Sequence, residues 1–309
     1  MMENINVDMN ADMNAAPLVH KKKKKRVSVW TVLIYAFIVL FTLACLVPIV
    51  YEVLLSFASK EDYLQSDFLI FPVHFNFENY KIILLQDRIP IAFLISVFLT
   101  AVNLVYSMAI DILAAYVLAQ RDLPGRKIFF TFLLIPMFFS GGLVPFYLTL
   151  RSLNFTNNLL GLILPFGVGG FNVILLRNFF AQVPNDIIES ANLEGVSDFR
   201  VLWQFVLPLS KAGIATISLF ILVGKWNDWY WPMILLTEDN LFPLALELRN
   251  VLNSTRADLI PGGSVDMNVI FAEGRNAAMI IVALLPIMAI YPFLQKNFVK
   301  GIMIGAIKS

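Results

Sequence analysis

Apolar residues in this chain gather into runs of twenty or more, separated by short polar segments, instead of recurring with the period of an amphipathic helix or strand. Crossing a hydrocarbon layer of about 30 Å takes about 20 helical residues at 1.5 Å each. Runs of that length occur near residues 29–52, 91–119, 128–150, 159–181, 212–236 and 276–295. The pattern predicts an all-α, polytopic membrane protein with six transmembrane helices. Residues 1–27, rich in Met, Asn, Asp and Lys, read as a disordered polybasic tail, and residues 28–309 as one transmembrane domain. Several runs are interrupted, at Pro136, at Ser140–Pro145 (SGGLVP), at Leu164–Gly170 (LPFGVGG) and at Pro286 and Pro292. A membrane helix broken in this way needs its freed backbone groups satisfied by neighbours or by a water-filled cavity, which suits a conduit. The simpler reading is that Gly and Pro are common in membrane helices.

Composition supports the membrane reading: 59% of the 309 residues are hydrophobic and only 15% charged, against roughly a quarter charged in soluble domains. Net charge is +1, so the distribution of charge matters more than its sum. Lys and Arg near span ends favour the cytoplasmic side. With the N-terminus inside, fifteen basic residues fall on inner segments, beginning with Lys21–Arg26, and seven on outer ones. The prediction is a cell (plasma) membrane protein with both termini cytoplasmic. The run Lys21–Arg26 reads as a topology signal or an anionic membrane lipid contact, not a nucleic-acid site. The apolar run behind it is too long for the core of a cleaved leader, and in Thr42–Cys45 (TLAC) Thr42 replaces the aliphatic residue of a lipoprotein box. Outer segments are expected at 58–89, with short local structure, and at 237–275, a long acidic loop. Arg121–Lys127 is expected to form a tight inner turn around Pro124-Gly125.

Catalytic chemistry finds little to work with. Cys45 is the single cysteine, and His20 and His74 are the two histidines, so neither a thiolate metal site nor a Ser-His-Asp arrangement can be assembled. No phosphate-binding loop occurs; Gly224-Lys225 is followed by Trp226. No metal or cofactor is expected in the chain, which reads as non-catalytic.

Between the fourth and fifth runs lies a polar inner loop, about 182–211, longer than most connections. Pro184 stops what precedes it, and Asp186 with Glu189 three residues later imitates a capping box. Gly195 then breaks that helix, Ser197–Val206 begins a second, and Leu207-Pro208 marks the return to the membrane. The spacing Glu189-Ser190-Ala191, Gly195, Phe205, Leu207-Pro208 resembles the EAA loop of permease subunits of binding-protein-dependent ABC importers, of the carbohydrate type that includes the second permease subunit of the maltose transporter. SGGLVP and Gly224–Pro232 (GKWNDWYWP) are similar to a branch of that family for larger or charged oligosaccharides and polysaccharides. The resemblance implies a permease domain over 28–309 and a coupling helix seated in a cytoplasmic ATPase. Glu189 would contact the ATPase, Ala191 allow close approach and Gly195 make the turn. Asp186, Ser190, Glu194, Leu207 and Pro208 complete the coupling surface. Ser190, Glu194, Val196 and Phe205 depart mildly from the motif's usual residues. The resemblance further implies a second, homologous permease subunit, two ATPase subunits carrying ATP and Mg2+, an extracytoplasmic solute-binding protein and an oligosaccharide substrate moved by alternating access.

Candidate pathway residues are Lys225, Trp226, Asn227, Asp228, Trp229 and Tyr230. Lys225 and Asp228 are placed on one helix face, where they can neutralise each other. The aromatics serve either as platforms for sugar rings or as an interfacial belt. Asn103, Ser107 and Asp111, four residues apart, form a polar stripe on the second span, with Arg177 a candidate partner for Asp111, and helix packing is the competing role of that stripe. Three other functions fit the same composition, one of them a passive channel or assembly scaffold that works without ATP. A superfamily permease for peptides or polyamines differs in its binding protein's ligand. A membrane-embedded glycan-processing enzyme requires paired intramembrane acids.

Overall fold

The computed structural model describes residues 28–65, 74–85, 88–258 and 272–306. The predicted tail, residues 1–27, lies outside them. Every regular element among the described residues is helical. By contact the chain divides into two units, residues 1–49 and 50–309.

Helix α1 (Val29–Ser56) has 28 residues and a length of about 42 Å at 1.5 Å per residue. In the first unit its apolar side chains are exposed on all sides, as a helix bathed in lipid requires.

The second unit is organised on α4 (Ile89–Ala119), whose 31 residues make it the longest internal helix before the last span. Helices α7 (Gly170–Phe180) and α11 (Lys211–Trp226) pack along α4, and α11 packs in turn on α14 (Ala272–Ala306). Loops and short helices collect at the two ends. At the end where α4 begins lie α2 (Lys60–Gln65), α3 (Glu78–Leu85) and α13 (Leu244–Asp258). Asn79 there donates to the carbonyls of Ser56 and Ala58 at 3.0 and 3.2 Å. The Leu244 N–H donates to Ser96 Oγ at 2.8 Å, which fixes α13 to α4. At the other end, Ala115, Tyr116 and Leu118 of α4 join Val183, Ala191, Val201 and Leu202 in one apolar cluster. That cluster anchors α8 (Asn185–Leu193) and α9 (Asp198–Val201).

Among the described residues three helices are long and apolar enough to span a membrane, and three further crossings exist if each sharply bent pair is one span. The departures from six straight runs are local. Instead of one helix over 128–150 the chain forms α5 (Arg126–Phe138) and α6 (Leu143–Ser152), bent by 110°. Gly142, with φ 87° and ψ 165°, makes this elbow, a conformation essentially confined to glycine. Gly142→Ala is therefore expected to cost about 1–3 kcal/mol, read as a lower unfolding temperature in detergent, with Gly141→Ala as a milder control. The fourth run is a 3-10 segment over Leu159–Phe166, followed by α7 with a 46° bend. The fifth stops at Trp226 and resumes as α12 (Tyr230–Leu235), so that α11 alone covers about 24 Å. The 237–275 loop contains α13, whose Leu244 and Leu246 are buried.

Candidate functional site

Polar side chains meet along the inner face of α4. Ser96, Thr100, Asn103, Ser107 and Asp111 are all buried, spaced three or four residues apart so that they share one stripe. Asp111, fully buried, accepts the Gly169 N–H at 3.0 Å and the Asn172 carboxamide at 3.2 Å. Its carboxylate thus satisfies a donor freed where the fourth span breaks, at the positive end of α7. Arg177 is not its partner. The guanidinium donates instead to the Leu118 carbonyl at 3.2 Å and to Asn178, and lies over the Phe130 ring. Asn103 donates to the Leu99 carbonyl, but its Oδ1, like Thr100 Oγ1, has no hydrogen-bond partner among the described residues. Buried polar atoms without a partner are uncommon.

Facing this stripe are Lys225 and Asp228. With Ser107, Phe166 and Asn172 they line a cavity of about 200 Å³, and with Ser96 and Asn103 a second, smaller one. Because α11 ends between them, Lys225 and Asp228 make no ion pair within 4.0 Å among the described residues, yet Asp228 stands near enough for its charge to act on the ammonium. The Lys225 ammonium lies 4.5 Å from the centre of the Phe166 ring, a cation–π distance. Asp228 accepts the Trp231 N–H at 3.3 Å. Trp226 turns away from the stripe: it is buried, donates to the Ala283 carbonyl at 2.9 Å and packs edge-on to Phe93. Asn227 is exposed and bonded to the Val223 carbonyl. Trp229 and Tyr230 remain 38% and 40% exposed.

Arg249 belongs beside them and escaped sequence reasoning, because its helix was read as loop. Its guanidinium stacks 3.5 Å above the Trp229 ring. The periodic leucines of 244–251 were the one signal for that helix.

At the opposite end, α8 separates two faces. Ala191 is buried and Ile187 and Ile188 half-buried, whereas Asp186, Glu189, Ser190, Leu193 and Glu194 are exposed, Leu193 by 90%. Ala191 therefore allows α8 to approach the chain's own core rather than an outside partner. The capping box is absent: Pro184 takes the N-cap position, Asp186 falls within the first turn, and no side chain caps the helix. Ser190 Oγ donates to the Ile187 carbonyl. The C-terminus is closed by backbone geometry, with the Val196 N–H on the Ala191 carbonyl and the Gly195 N–H on that of Asn192, both at 3.0 Å. This Schellman arrangement needs a left-handed residue, supplied by Gly195 at φ 74°.

Beyond it, α9 continues through a π turn (Leu202–Val206) into α10 (Leu207–Leu209). The wide turn accommodates Pro208, which lacks an N–H and would crowd the carbonyl four residues back. Leu207 is buried in the cluster and Pro208 exposed. Neither ends the loop; the chain turns by 85° at Ser210 into α11.

Broken apolar helices around a polar interior, with an anchored surface helix at one end, define a polytopic membrane subunit of a transport assembly. The model of the "Binding-protein-dependent transport system inner membrane component" family matches residues 108–304, and the chain belongs to that family. It is similar to the polygalacturonan/rhamnogalacturonan transport system permease protein YtcP of Bacillus subtilis, at 35% identity over 89% of this chain and 97% of that protein. It is 28% identical to the diacetylchitobiose uptake system permease protein NgcG of Streptomyces coelicolor, over 89% of this chain and 88% of that one. A chain in the crystal structure of a bacterial ABC transporter involved in the import of the acidic polysaccharide alginate superposes with a TM-score of 0.78. The two are 27% identical, with coverage of 87% and 96%. The protein is accordingly a membrane-embedded, non-catalytic permease subunit of an ABC importer, a class that works with ATPase subunits and a binding protein.

Proposed function

We propose that this chain is one of two homologous permease subunits that together enclose the path of an oligosaccharide importer in the cell membrane, with both its termini in the cytoplasm. Two ATPase subunits bind ATP and Mg2+ beneath it, and a solute-binding protein delivers the sugar from outside. The names of its relatives, a polygalacturonan/rhamnogalacturonan permease and a diacetylchitobiose permease, favour a saccharide over a peptide or polyamine.

The observation that carries the reading is the construction of α8. Its inner face is locked to α4 and α9 through Ala191 and the Gly195 turn, and its outer face presents Asp186, Glu189, Leu193 and Glu194. A helix so anchored moves as one body with the bundle, so a push on the exposed face reaches the spans. Leu193 and the acidic side chains suit a cleft that is apolar at its floor and basic at its rim. ATP-driven closure of the ATPase pair moves this helix, the rigid spans follow, and the bundle alternates between outward and inward access. Solute then passes the seam formed by Asn103, Ser107, Lys225 and Asp228, where Asn103 Oδ1 awaits a hydroxyl donor and Trp229 and Tyr230 offer ring faces.

Single cysteines placed on the assembled complex test the coupling arm. Glu189→Cys and Leu193→Cys are expected to crosslink to the subunit that carries the phosphate-binding loop, and Ile188→Cys, on the inner face, is not. Crosslinking from Ile188 alone, or from none of the three, would contradict the arrangement.

A further inference from the structure

The exposed surface of the coupling loop does not end with α8. The helix that follows, Asp198–Leu209, is made of α9, the π turn and α10, and is bent by 85° from α11. Where α11 crosses the lipid layer, this helix therefore runs along the surface of that layer. Its depth follows from its neighbours. Val201, Leu202 and Val206 are buried in one cluster with Ala115, Tyr116 and Leu118, which belong to the last turns of α4. The 31 residues of α4 cover about 46 Å against about 30 Å of hydrocarbon, so those turns reach the headgroup layer. Lys211 opens α11 directly beyond Ser210, so the span begins where this helix ends.

The side turned away from the cluster carries two kinds of residue. Phe199 and Trp203 are 65% and 63% exposed, with ring centres 6.2 Å apart, and form one aromatic strip. Arg200 and Gln204 follow them by one residue each, a turn of about 100°, and are exposed as well. Leu209 extends the exposed apolar surface to the foot of α11, where Lys211 is exposed beside it. Asp198 stands in the first turn, where a carboxylate suits the positive end of a helix. Aromatic rings concentrate at the headgroup level of membranes. Helices that lie in that layer turn Phe, Trp and Leu to the lipid and basic residues to its rim. Charge separates this surface from that of α8, whose exposed side carries Asp186, Glu189 and Glu194 and would be repelled by anionic lipid.

We infer that Asp198–Leu209 is an in-plane membrane anchor, whose Phe199 and Trp203 enter the boundary between headgroups and acyl chains while Arg200 and Lys211 reach the lipid phosphates. The inference rests on the coupling reading above only for the role of α8. The loop is then held from two sides, by the ATPase at α8 and by lipid at this helix, and α8 moves against a strip fixed at the membrane surface.

The test is a depth measurement with spin labels on the complete transporter, reconstituted with its partner subunits in nanodiscs of phosphatidylcholine and phosphatidylglycerol. Cys45, the single cysteine of the chain, is replaced first (Cys45→Ser), in a complex otherwise free of reactive cysteines. Labels are then attached one at a time through Phe199→Cys, Trp203→Cys, Gln204→Cys and Leu193→Cys. Collisions with oxygen, which concentrates in lipid, and with a nickel chelate, which stays in water, give the depth. Labels at 199 and 203 are expected about 5–10 Å below the phosphates, and the label at 204 level with the phosphates or above them. Free collision with the chelate at 199 and 203 overturns the inference. So does shielding of both from either reagent, the mark of a protein contact, or equal depth at 203 and 204. The label at 193 tests the coupling reading separately: shielding from both reagents is expected there, and open collision with the chelate removes that reading while the anchor stands.

Discussion

Gly195→Val is expected to reduce ATP-driven uptake by about tenfold or more, while Gly195→Asn retains most of it. At φ 74° the residue sits in the left-handed region, which costs a non-glycine residue about 1–2 kcal/mol and disfavours β-branched side chains most, whereas Asn is tolerated there. A Cβ at this position meets nothing within 4 Å, so crowding plays no part. The strain is relieved by opening the two hydrogen bonds that close α8, those from Gly195 and Val196, and this releases the last turn, which carries Leu193 and Glu194. Because the turn is exposed, the unfolding temperature of the bundle is expected to stay near that of the parent. Uptake into proteoliposomes, together with the amount of ATPase retained on purification, separates the two variants. Equal, normal coupling in both would show that the shape of this turn does not transmit force.

Asp111→Leu is expected to have the second large effect, this time on the fold. The substitution leaves the Gly169 N–H and the Asn172 carboxamide without their buried acceptor. Each abandoned donor costs about 1–3 kcal/mol. The yield of folded protein should fall several-fold and its unfolding temperature in detergent should drop. Asp111→Asn, which keeps a carbonyl acceptor for Gly169, should recover most of both. If the Leu variant were as stable as the parent, the broken fourth span would not depend on this anchor.

The positions of the apolar runs were legible because length alone identifies a helix that must cross a lipid layer. Their breaks were legible as Gly and Pro but not as geometry. The SGG elbow reads equally as a flexible point in a straight helix until the φ of Gly142 is known. Helix α13 was hidden because its inward positions, Leu244, Leu246, Leu248 and Val251, are diluted by Glu247, Arg249 and Asn250, and its burial depends on α4 and α14. Arg249 was lost with it.

At the two sites, errors came from local geometry and long-range partners. Lys225 and Asp228 do act on each other electrostatically, but the stop at Trp226 removes the continuous helix that would have brought them into contact. Asp186 was given the cap that Pro184 occupies. The partners of Asp111 lie 58 and 61 residues further along, one of them a backbone N–H, and no side-chain pattern announces a backbone donor. The exposed face of α8 was legible in Glu189 and Gly195. Leu193 was not, since an apolar residue is expected to turn inward.

Transport into sealed vesicles containing both permease subunits, with the ATPase pair added or withheld, tests the central claim most directly. Solute supplied on its loaded binding protein should accumulate only when the ATPase and ATP are present on the side that carries α8, and should cease when ATP is replaced by an analogue that cannot be hydrolysed. Undiminished accumulation in vesicles lacking the ATPase would contradict the account.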